Sequence, residues 1–168
     1  RAREALHNSE SLFRLFTENV DSVFWMADPE NRESMYVSPA YDQVWGMPRE
    51  TLKTNPRAFL NAIHPEDRER VEGSLQNHRQ GPSEKHYRIL RPTGEVRWIK
   101  DRSFPIRNNE GKVDRVVGIA EDVTPLREAQ ARLEASQTQI ASNAKFAALG
   151  EMASGIAHEI NNPLAVIQ

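Results

Sequence analysis

The sequence contains no cysteine, and this absence excludes several kinds of chemistry at once. Disulfide bonds, thiolate metal sites, cysteine nucleophiles and photochemistry that proceeds through a cysteinyl adduct all require the missing thiol. A chain without cysteine is compatible with a reducing, cytoplasmic compartment.

Long apolar runs and an excess of one charge are also missing. No stretch approaches the roughly 18 apolar residues of a membrane span, and the chain begins with Arg1-Ala-Arg-Glu4 instead of a signal-peptide core. The net charge is -2, whereas a nucleic-acid-binding domain normally shows a basic excess, so we predict no nucleic-acid partner. With 38% hydrophobic and 27% charged residues, the composition is that of a soluble globular protein.

Hydrophobic spacing divides the chain into a helix, a mixed globular part and a second helix. Leu6, Phe13, Phe16 and Val20 recur seven, three and four residues apart, which predicts an amphipathic helix over residues 1–20. Short segments rich in aromatic and β-branched residues continue to about residue 124. We predict strands at 23–26, 35–37, 87–91, 96–104 and 113–123, and helices at 39–44, 56–63 and 66–78. This order predicts an α+β domain around an antiparallel sheet.

A long helix is predicted after Thr124-Pro125, because this pair suits a helix N-terminus and neither proline nor glycine follows until Gly150. Two series of residues three and four apart differ by one position in phase: Leu126, Ala129, Leu133, Ser136, Ile140 and Asn143, then Phe146, Leu149, Ala153, Ile156 and Ile160. The series predict a dimeric coiled coil with a phase break near residues 141–146. The alternative is a single helix folded back on its own domain, since serine and asparagine make a poor seam.

His158 is predicted to point away from the apolar series, toward solvent. Adjacent Glu159 is suited to accept a hydrogen bond from one ring nitrogen, which leaves the other nitrogen as a nucleophile. Asn162 follows one turn later, where its amide is suited to hold a water or a phosphoryl oxygen. These residues suit phosphoryl chemistry. A zinc-binding His-Glu motif is the alternative, but Asn162 replaces its second histidine, and we predict no metal.

The segment from Phe146 to Leu164 resembles the H-box of bacterial sensor histidine kinases, which begins the HisKA dimerisation and phosphoacceptor domain. The resemblance implies that His158 is the residue phosphorylated from ATP. It also implies that Glu159 acts as the base and that Asn162 assists hydrolysis of a phosphorylated response regulator. ATP and Mg²⁺ would bind in a catalytic domain expected after Gln168, so we expect these 168 residues to be inactive alone.

Residues from about Leu12 to Thr124 resemble a PAS sensory domain. The features that carry the resemblance are His64-Pro-Glu-Asp-Arg68, Tyr87-Arg-Ile89, Gly94-Glu-Val-Arg-Trp-Ile99 and Asp122-Val-Thr124. The resemblance implies a five-stranded antiparallel sheet with flanking helices. It also implies that Asp122 pairs with a basic residue of the sheet, for which we select Arg97, and that Thr124 starts the output helix. The alternative is that Asp122 and Thr124 only cap this helix.

The ligand of such a domain is not fixed by the sequence. PAS domains hold haem, flavin or small metabolites, or hold nothing and act as dimerisation modules, and the lack of cysteine excludes the flavin-adduct type. His78 and His86 are interpreted as surface residues rather than haem ligands. We interpret six aromatic residues as core packing: Trp25, Tyr41, Trp45, Phe59, Tyr87 and Trp98.

Four segments are therefore expected: an amphipathic helix (1–20), a PAS sensory domain (21–124), a coiled-coil signalling linker (125–145) and the start of a HisKA helix (146–168). The expected function is that of the sensory and signal-transmitting part of a two-component sensor histidine kinase. We expect its parent to form a homodimer through the C-terminal helix and to pass the phosphoryl group from His158 to an aspartate of a response regulator.

A cytoplasmic location is expected for these residues, while a membrane anchor in the parent and a small-molecule ligand of the PAS domain are left open. The alternative function is a PAS ligand-binding or dimerisation module without phosphotransfer. A metallohydrolase is a third and more distant hypothesis.

Overall fold

A computed structural model describes the backbone of residues 2–30, 34–75 and 81–164, and the side chains of residues 4, 7–30, 35–75 and 81–156. The chain divides into two compact units between Thr124 and Pro125. In the described ranges, none of the helices combines the length and hydropathy required to cross a bilayer.

In the described residues, the first unit contains one helix, two strands, four short helices and then three consecutive strands. The helices are α1 (Ala2–Glu18), α2 (Ala40–Trp45), α3 (Thr51–Thr54), α4 (Ala58–Asn61) and α5 (Pro65–Ser74), and the strands are β1 (Val23–Ala27), β2 (Ser34–Val37), β3 (Ser83–Leu90), β4 (Val96–Arg107) and β5 (Val113–Asp122). The strands form an antiparallel sheet in the order β2-β1-β5-β4-β3. The predicted α+β class with a five-stranded antiparallel sheet is confirmed.

The predicted helix over 56–63 and the predicted start of β3 need correction, and one short helix is missing from the prediction. The helix predicted over 56–63 is reduced to Ala58–Asn61, because Pro56 and Arg57 form a turn and Ile63 makes a β-bridge with Ile89. The short helix α3 was absent from the prediction. β3 begins at Ser83 rather than residue 87, since the alternation of buried and exposed side chains extends back through Lys85.

The hydrophobic core lies between one face of the sheet and helices α2 to α5. The cluster of buried side chains includes Tyr41, Val44 and Trp45 from α2, Leu60 from α4 and Val71 from α5, together with Val23, Tyr87, Ile89, Ile99 and Ala120 from the strands. Residues that alternate with these along the strands lie on the opposite face of the sheet. The inner face of the sheet is therefore the surface on which the helices rest.

Arg88 ties the start of α5 to β3. The Arg88 Nε and Nη2 atoms donate to Asp67 Oδ2 at 2.9 Å and Oδ1 at 3.0 Å, the Arg88 backbone N–H donates to Asp67 Oδ2 at 2.9 Å, and Nη2 also donates to Glu66 Oε2 at 2.8 Å. The Arg88 guanidinium also lies 5.5 Å above the ring of Trp98. The hydrogen bonds from Arg88 lower the pKa of Asp67 from 3.8 to about 2.

We expect Asp67→Asn to remove part of the acid sensitivity of folding. Because the pKa of folded Asp67 lies below its ordinary value, its stabilisation is complete above about pH 4 and is lost as the pH falls toward 2. The native protein should lose about 2 kcal/mol of unfolding free energy through this group between pH 5 and pH 2. Urea unfolding at both values measures the difference. The exposed Asp114→Asn variant should keep the native acid dependence, and the same dependence in Asp67→Asn would contradict the assignment.

The second unit is the helix α6 (Thr124–Leu164), which has 41 residues and confirms the predicted long C-terminal helix. At the standard rise of 1.5 Å per residue its length is about 60 Å. Seven large apolar side chains along it are between 53% and 71% exposed: Leu126, Leu133, Ile140, Phe146, Leu149, Met152 and Ile156. The side chains of His158, Glu159 and Asn162 lie outside the described residues.

Candidate functional site

A cavity of about 430 Å³ lies beside the inner face of the sheet. Strands β1, β3, β4 and β5 and helices α2 to α4 contribute to its wall. Its aromatic lining consists of Trp25, Tyr41, Trp45, Phe59 and Tyr87. The volume falls within the roughly 300–1,000 Å³ of small-molecule sites, which are also mostly apolar with a few polar groups. This cavity therefore has the size and lining of a ligand site.

Asp101 on β4 places a carboxylate in this wall. Its Oδ1 accepts a hydrogen bond from Trp25 Nε1 at 3.1 Å, and its Oδ2 accepts one from the Tyr87 hydroxyl at 3.2 Å. Burial raises the pKa of Asp101, while these hydrogen bonds and the charge of Lys85 act in the opposite direction. Asp101 nevertheless keeps part of its surface accessible, and it is a lining residue of the cavity. The carboxylate is therefore available to a molecule inside.

Two buried hydrogen-bond donors of α2 also belong to this wall. Tyr41 and Trp45 stack with ring centroids 4.8 Å apart and planes inclined by 13°. Neither the Tyr41 hydroxyl nor Trp45 Nε1 has a hydrogen-bond partner among the described residues. Burial raises the pKa of Tyr41, and the Tyr41 phenol lies close enough to Tyr87 to help raise the pKa of that residue. Because an unsatisfied buried donor costs about 1–3 kcal/mol, these groups favour a ligand with an acceptor atom.

Gly118 on β5 makes room for the indole of Trp25. The two residues are directly paired across β1 and β5. A Cβ atom at position 118 would overlap the Trp25 ring, against atoms Cε2, Cζ2 and Nε1. The missing side chain therefore lets the indole lie against β5, from which its N–H reaches Asp101 on the next strand.

We expect Gly118→Ala to displace Trp25 and to lower the unfolding free energy by about 1–3 kcal/mol, the usual cost of overpacking a core. Chemical unfolding followed by tryptophan fluorescence measures this loss. Gly73→Ala in α5 is the matched control, because a Cβ atom there meets nothing within 4 Å. Its expected effect is neutral or stabilising. Equal stabilities for the two variants would refute the packing role of Gly118.

The end of β5 is joined to β4 by a group of short hydrogen bonds. Arg97 Nη1 donates to Asp122 Oδ2 at 3.1 Å, and the Thr124 backbone N–H donates to Asp122 Oδ1 at 2.9 Å. The Trp98 backbone N–H donates to Thr124 Oγ1 at 2.7 Å, and the Val123 N–H donates to the Trp98 carbonyl at 2.8 Å. The structure thus brings together Arg97, Asp122 and Thr124, three of the residues singled out in the sequence.

The sequence reasoning missed Asp101 and misplaced one aromatic residue. The available signal for Asp101 was strand alternation, since Ile99, Asp101 and Ser103 share the inner face of β4. The prediction that Trp98 belongs to the core is wrong, because Trp98 lies one position out of phase with Ile99 on the outer face, beneath the Arg88 guanidinium.

Of the two histidines near the predicted pocket, the structure describes only His86. His86 is exposed on β3, and its Nε2 lies 3.1 Å from Glu84 Oε1, apart from the residues that line the cavity. His78 lies outside the described residues.

Comparison with known proteins extends these observations. The Bradyrhizobium diazoefficiens sensor protein FixL is 33% identical over 118 residues, which cover 64% of this chain and 22% of FixL. The Ectopseudomonas mendocina sensor histidine kinase TmoS is 25% identical over 166 residues, 97% of this chain and 17% of TmoS. The crystal structure of a sensory box histidine kinase/response regulator from Burkholderia thailandensis is 27% identical with a TM-score of 0.55, covering 76% of this chain and 96% of that one.

The chain spans only a small part of its curated relatives, between 10% and 26% of the length of six of them, which include FixL and TmoS. Proteins named as sensors and sensor histidine kinases are among them, which supports a sensory role. The family described as PAS fold matches residues 34–120, about half of the chain and most of the sheet. The chain belongs to the PAS fold family.

Proposed function

We propose that this chain is the sensory and signal-transmitting part of a two-component sensor histidine kinase. The observation that carries the proposal is the continuity of β5 with α6 through Asp122 and Thr124. One end of this continuous segment lines the cavity, and the backbone of α6 continues through the H-box-like segment that contains His158. The sensor kinases among the relatives support the same assignment.

In the proposed mechanism, occupancy of the cavity changes the position of β5. Val116 and Ala120 of β5 line the cavity, while Asp122 holds both Arg97 of β4 and the first N–H of α6. A ligand that shifts β5 therefore acts on the hydrogen bonds that fix residue 124. In this mechanism the junction has one arrangement with the cavity empty and another with the cavity occupied, and the ligand shifts the population from the first to the second.

The proposed phosphotransfer uses three residues of α6. The imidazole nitrogen of His158 attacks the γ-phosphorus of ATP as the bond to the ADP oxygen breaks, and Glu159 accepts the proton that the ring loses. The phosphoryl group then passes to an aspartate of a response regulator, and Asn162 assists its later hydrolysis. A catalytic domain of the parent would supply the ATP and Mg²⁺ sites.

We further propose that α6 associates with the same helix of a second copy. The seven apolar side chains of α6 are more than half exposed in a single chain, and Gln139 and Asn143 are hydrogen-bonded at 3.0 Å on this helix near the predicted phase break. Apolar residues three and four positions apart are the pattern of a coiled-coil seam.

A ligand-binding module without phosphotransfer is the second candidate function, and the lined cavity with Asp101 favours it equally. The parent protein with its natural C-terminus, incubated with γ-labelled ATP, distinguishes the two. The kinase predicts an acid-labile label that moves to the response regulator when this protein is added. A parent that binds no nucleotide and takes no label would establish the module.

A further inference from the structure

We infer that the cavity takes a neutral aromatic molecule with one hydroxyl or ring N–H group, which donates a hydrogen bond to Asp101. This inference deepens the sensory role proposed above and rests on it. Three features of the wall carry it: its aromatic rings, the free acceptor capacity of Asp101 and the balance of charge around that carboxylate.

The aromatic rings favour an aromatic ligand. Trp25, Tyr41, Trp45, Phe59 and Tyr87 all line the same space, and the rings of Tyr41 and Trp45 are already stacked with each other. Aromatic rings associate in offset-stacked or edge-to-face geometry, with centroids 4.5–7 Å apart and a gain of roughly 0.5–1.5 kcal/mol beyond the buried area. A planar ring system gains this energy from several walls at once, whereas a flexible aliphatic chain does not.

Asp101 acts as a hydrogen-bond acceptor, so the ligand must be the donor. Each of its oxygens accepts one bond, from Trp25 Nε1 and from the Tyr87 hydroxyl, and a carboxylate oxygen has two lone-pair positions. Each oxygen therefore has the capacity to accept a second donor, and Asp101 lines the cavity. The Tyr41 hydroxyl, unpartnered in the described structure and close to Tyr87, is suited to donate to the oxygen of a ligand hydroxyl.

The charge around Asp101 favours a neutral ligand. Lys85 is paired with Asp101 across β3 and β4 and is only 8% exposed. Burial lowers the pKa of Lys85 and raises that of Asp101, while the attraction between their opposite charges acts against both shifts. Lys85 does not itself line the cavity, but its charge compensates that of the lining residue Asp101. A charged ligand beside this compensated pair would bring an additional net charge into the cavity, and an uncompensated charge there costs several kcal/mol.

Three other charged residues line the cavity, namely Asp28, Glu30 and Arg57. Glu30 is exposed and makes an ion pair with Lys112 at 3.1 Å. Arg57 is also exposed and makes an ion pair with Glu72 at 4.0 Å. Asp28 accepts a hydrogen bond from the Glu30 backbone N–H at 2.6 Å. Solvent screens the charges of the exposed Glu30 and Arg57, so these two residues act less strongly on a ligand's charge than the buried pair does.

The test compares three fused-ring probes by calorimetric titration of the 168-residue chain. The probes are 2-naphthol, 2-methoxynaphthalene and naphthalene, of which only 2-naphthol donates a hydrogen bond. We expect 2-naphthol to bind at least about tenfold more tightly than either of the others, the factor that one hydrogen bond to a charged group supplies. A cavity near the lower end of the usual range of volumes suits a bicyclic probe.

Substitution of Asp101 locates the site. Asp101→Leu and Asp101→Asn should each reduce the ratio of 2-naphthol to naphthalene affinity toward one, while naphthalene still binds. The second variant covers the case in which Asp101→Leu does not fold. Asp114→Asn, an exposed change on β5, should keep the native ratio.

Several results would overturn the inference. Equal affinity for the three probes, or no binding of any of them, would contradict the hydrogen bond to the ligand. Tighter binding of 2-naphthylmethylammonium or 2-naphthoate than of 2-naphthol would contradict the neutral ligand. A native ratio of 2-naphthol to naphthalene affinity in both Asp101 variants would contradict the role of Asp101. Labelling of the parent by ATP is a separate measurement. Selective 2-naphthol binding in a parent that takes no label would refute the kinase function and support the ligand class. A parent that takes label but shows no selectivity for 2-naphthol would support the kinase function and refute the ligand class.

Discussion

Replacing His158 with alanine in the parent protein is expected to abolish acid-labile labelling from γ-labelled ATP, a loss of about a hundredfold or more. The phosphoramidate bond requires an imidazole nitrogen, and alanine offers no replacement nucleophile. The label in the native protein should be lost in acid and retained in base. Gel-resolved radioactivity after each treatment measures both properties.

Two neighbouring substitutions serve as matched controls for this experiment. Glu159→Gln should bind nucleotide normally but label about 10²–10⁴-fold more slowly, since it removes the proposed base. Asn162→Ala should label at a rate close to the native one and should slow only the hydrolysis of the phosphorylated regulator. Native labelling of the His158→Ala variant would refute the phosphoacceptor assignment.

Insertion of one residue between Ser142 and Asn143 is expected to change labelling of the parent by about tenfold or more in either direction. One added residue rotates everything beyond it by about 100° and moves it by 1.5 Å along the helix. The insertion therefore rotates the apolar series that begins at Phe146 relative to the series that begins at Leu126, so the two series lie on different faces of α6 than in the native protein.

A seven-residue insertion at the same point is the control for the change in length. Seven residues complete close to two turns and keep the heptad phase. We expect this variant to label within about twofold of the native protein. Equal labelling by the two insertion variants would show that the phase of α6 has no part in control, and initial rates of label incorporation decide the question.

Much of the fold was predictable because its signals are local. The turns at Arg91–Gly94 and Asn108–Gly111 place glycine where the backbone has φ of 85° and 79°, and each is closed by a hydrogen bond to the glycine N–H. Alternation along the strands then defines the inner face. The helix predicted over 56–63 failed because the bridge between Ile63 and Ile89 is a contact between distant residues, which local spacing does not encode.

The cavity was not predictable for a related reason. Trp25, Tyr87 and Asp101 belong to three strands, and Gly118 of a fourth provides the space for the indole. Periodicity indicates only that such residues face inward. Whether inward-facing aromatic residues fill the space or surround it depends on the combined shape of several elements. The sequence therefore predicts a solid core at the five aromatic residues that line the cavity.

The central position of β5 in the sheet also determines when this domain is able to fold during synthesis. β5 is the last strand to be made, yet it is the one that joins the hairpin β1–β2 to the hairpin β3–β4. The pairing of Val23 with Ala120 closes nearly the whole domain, and such distant pairing is slow to form. The two hairpins therefore remain separate until residues 113–122 have been translated. Formation of the sheet and fixation of the start of α6 then occur as one step.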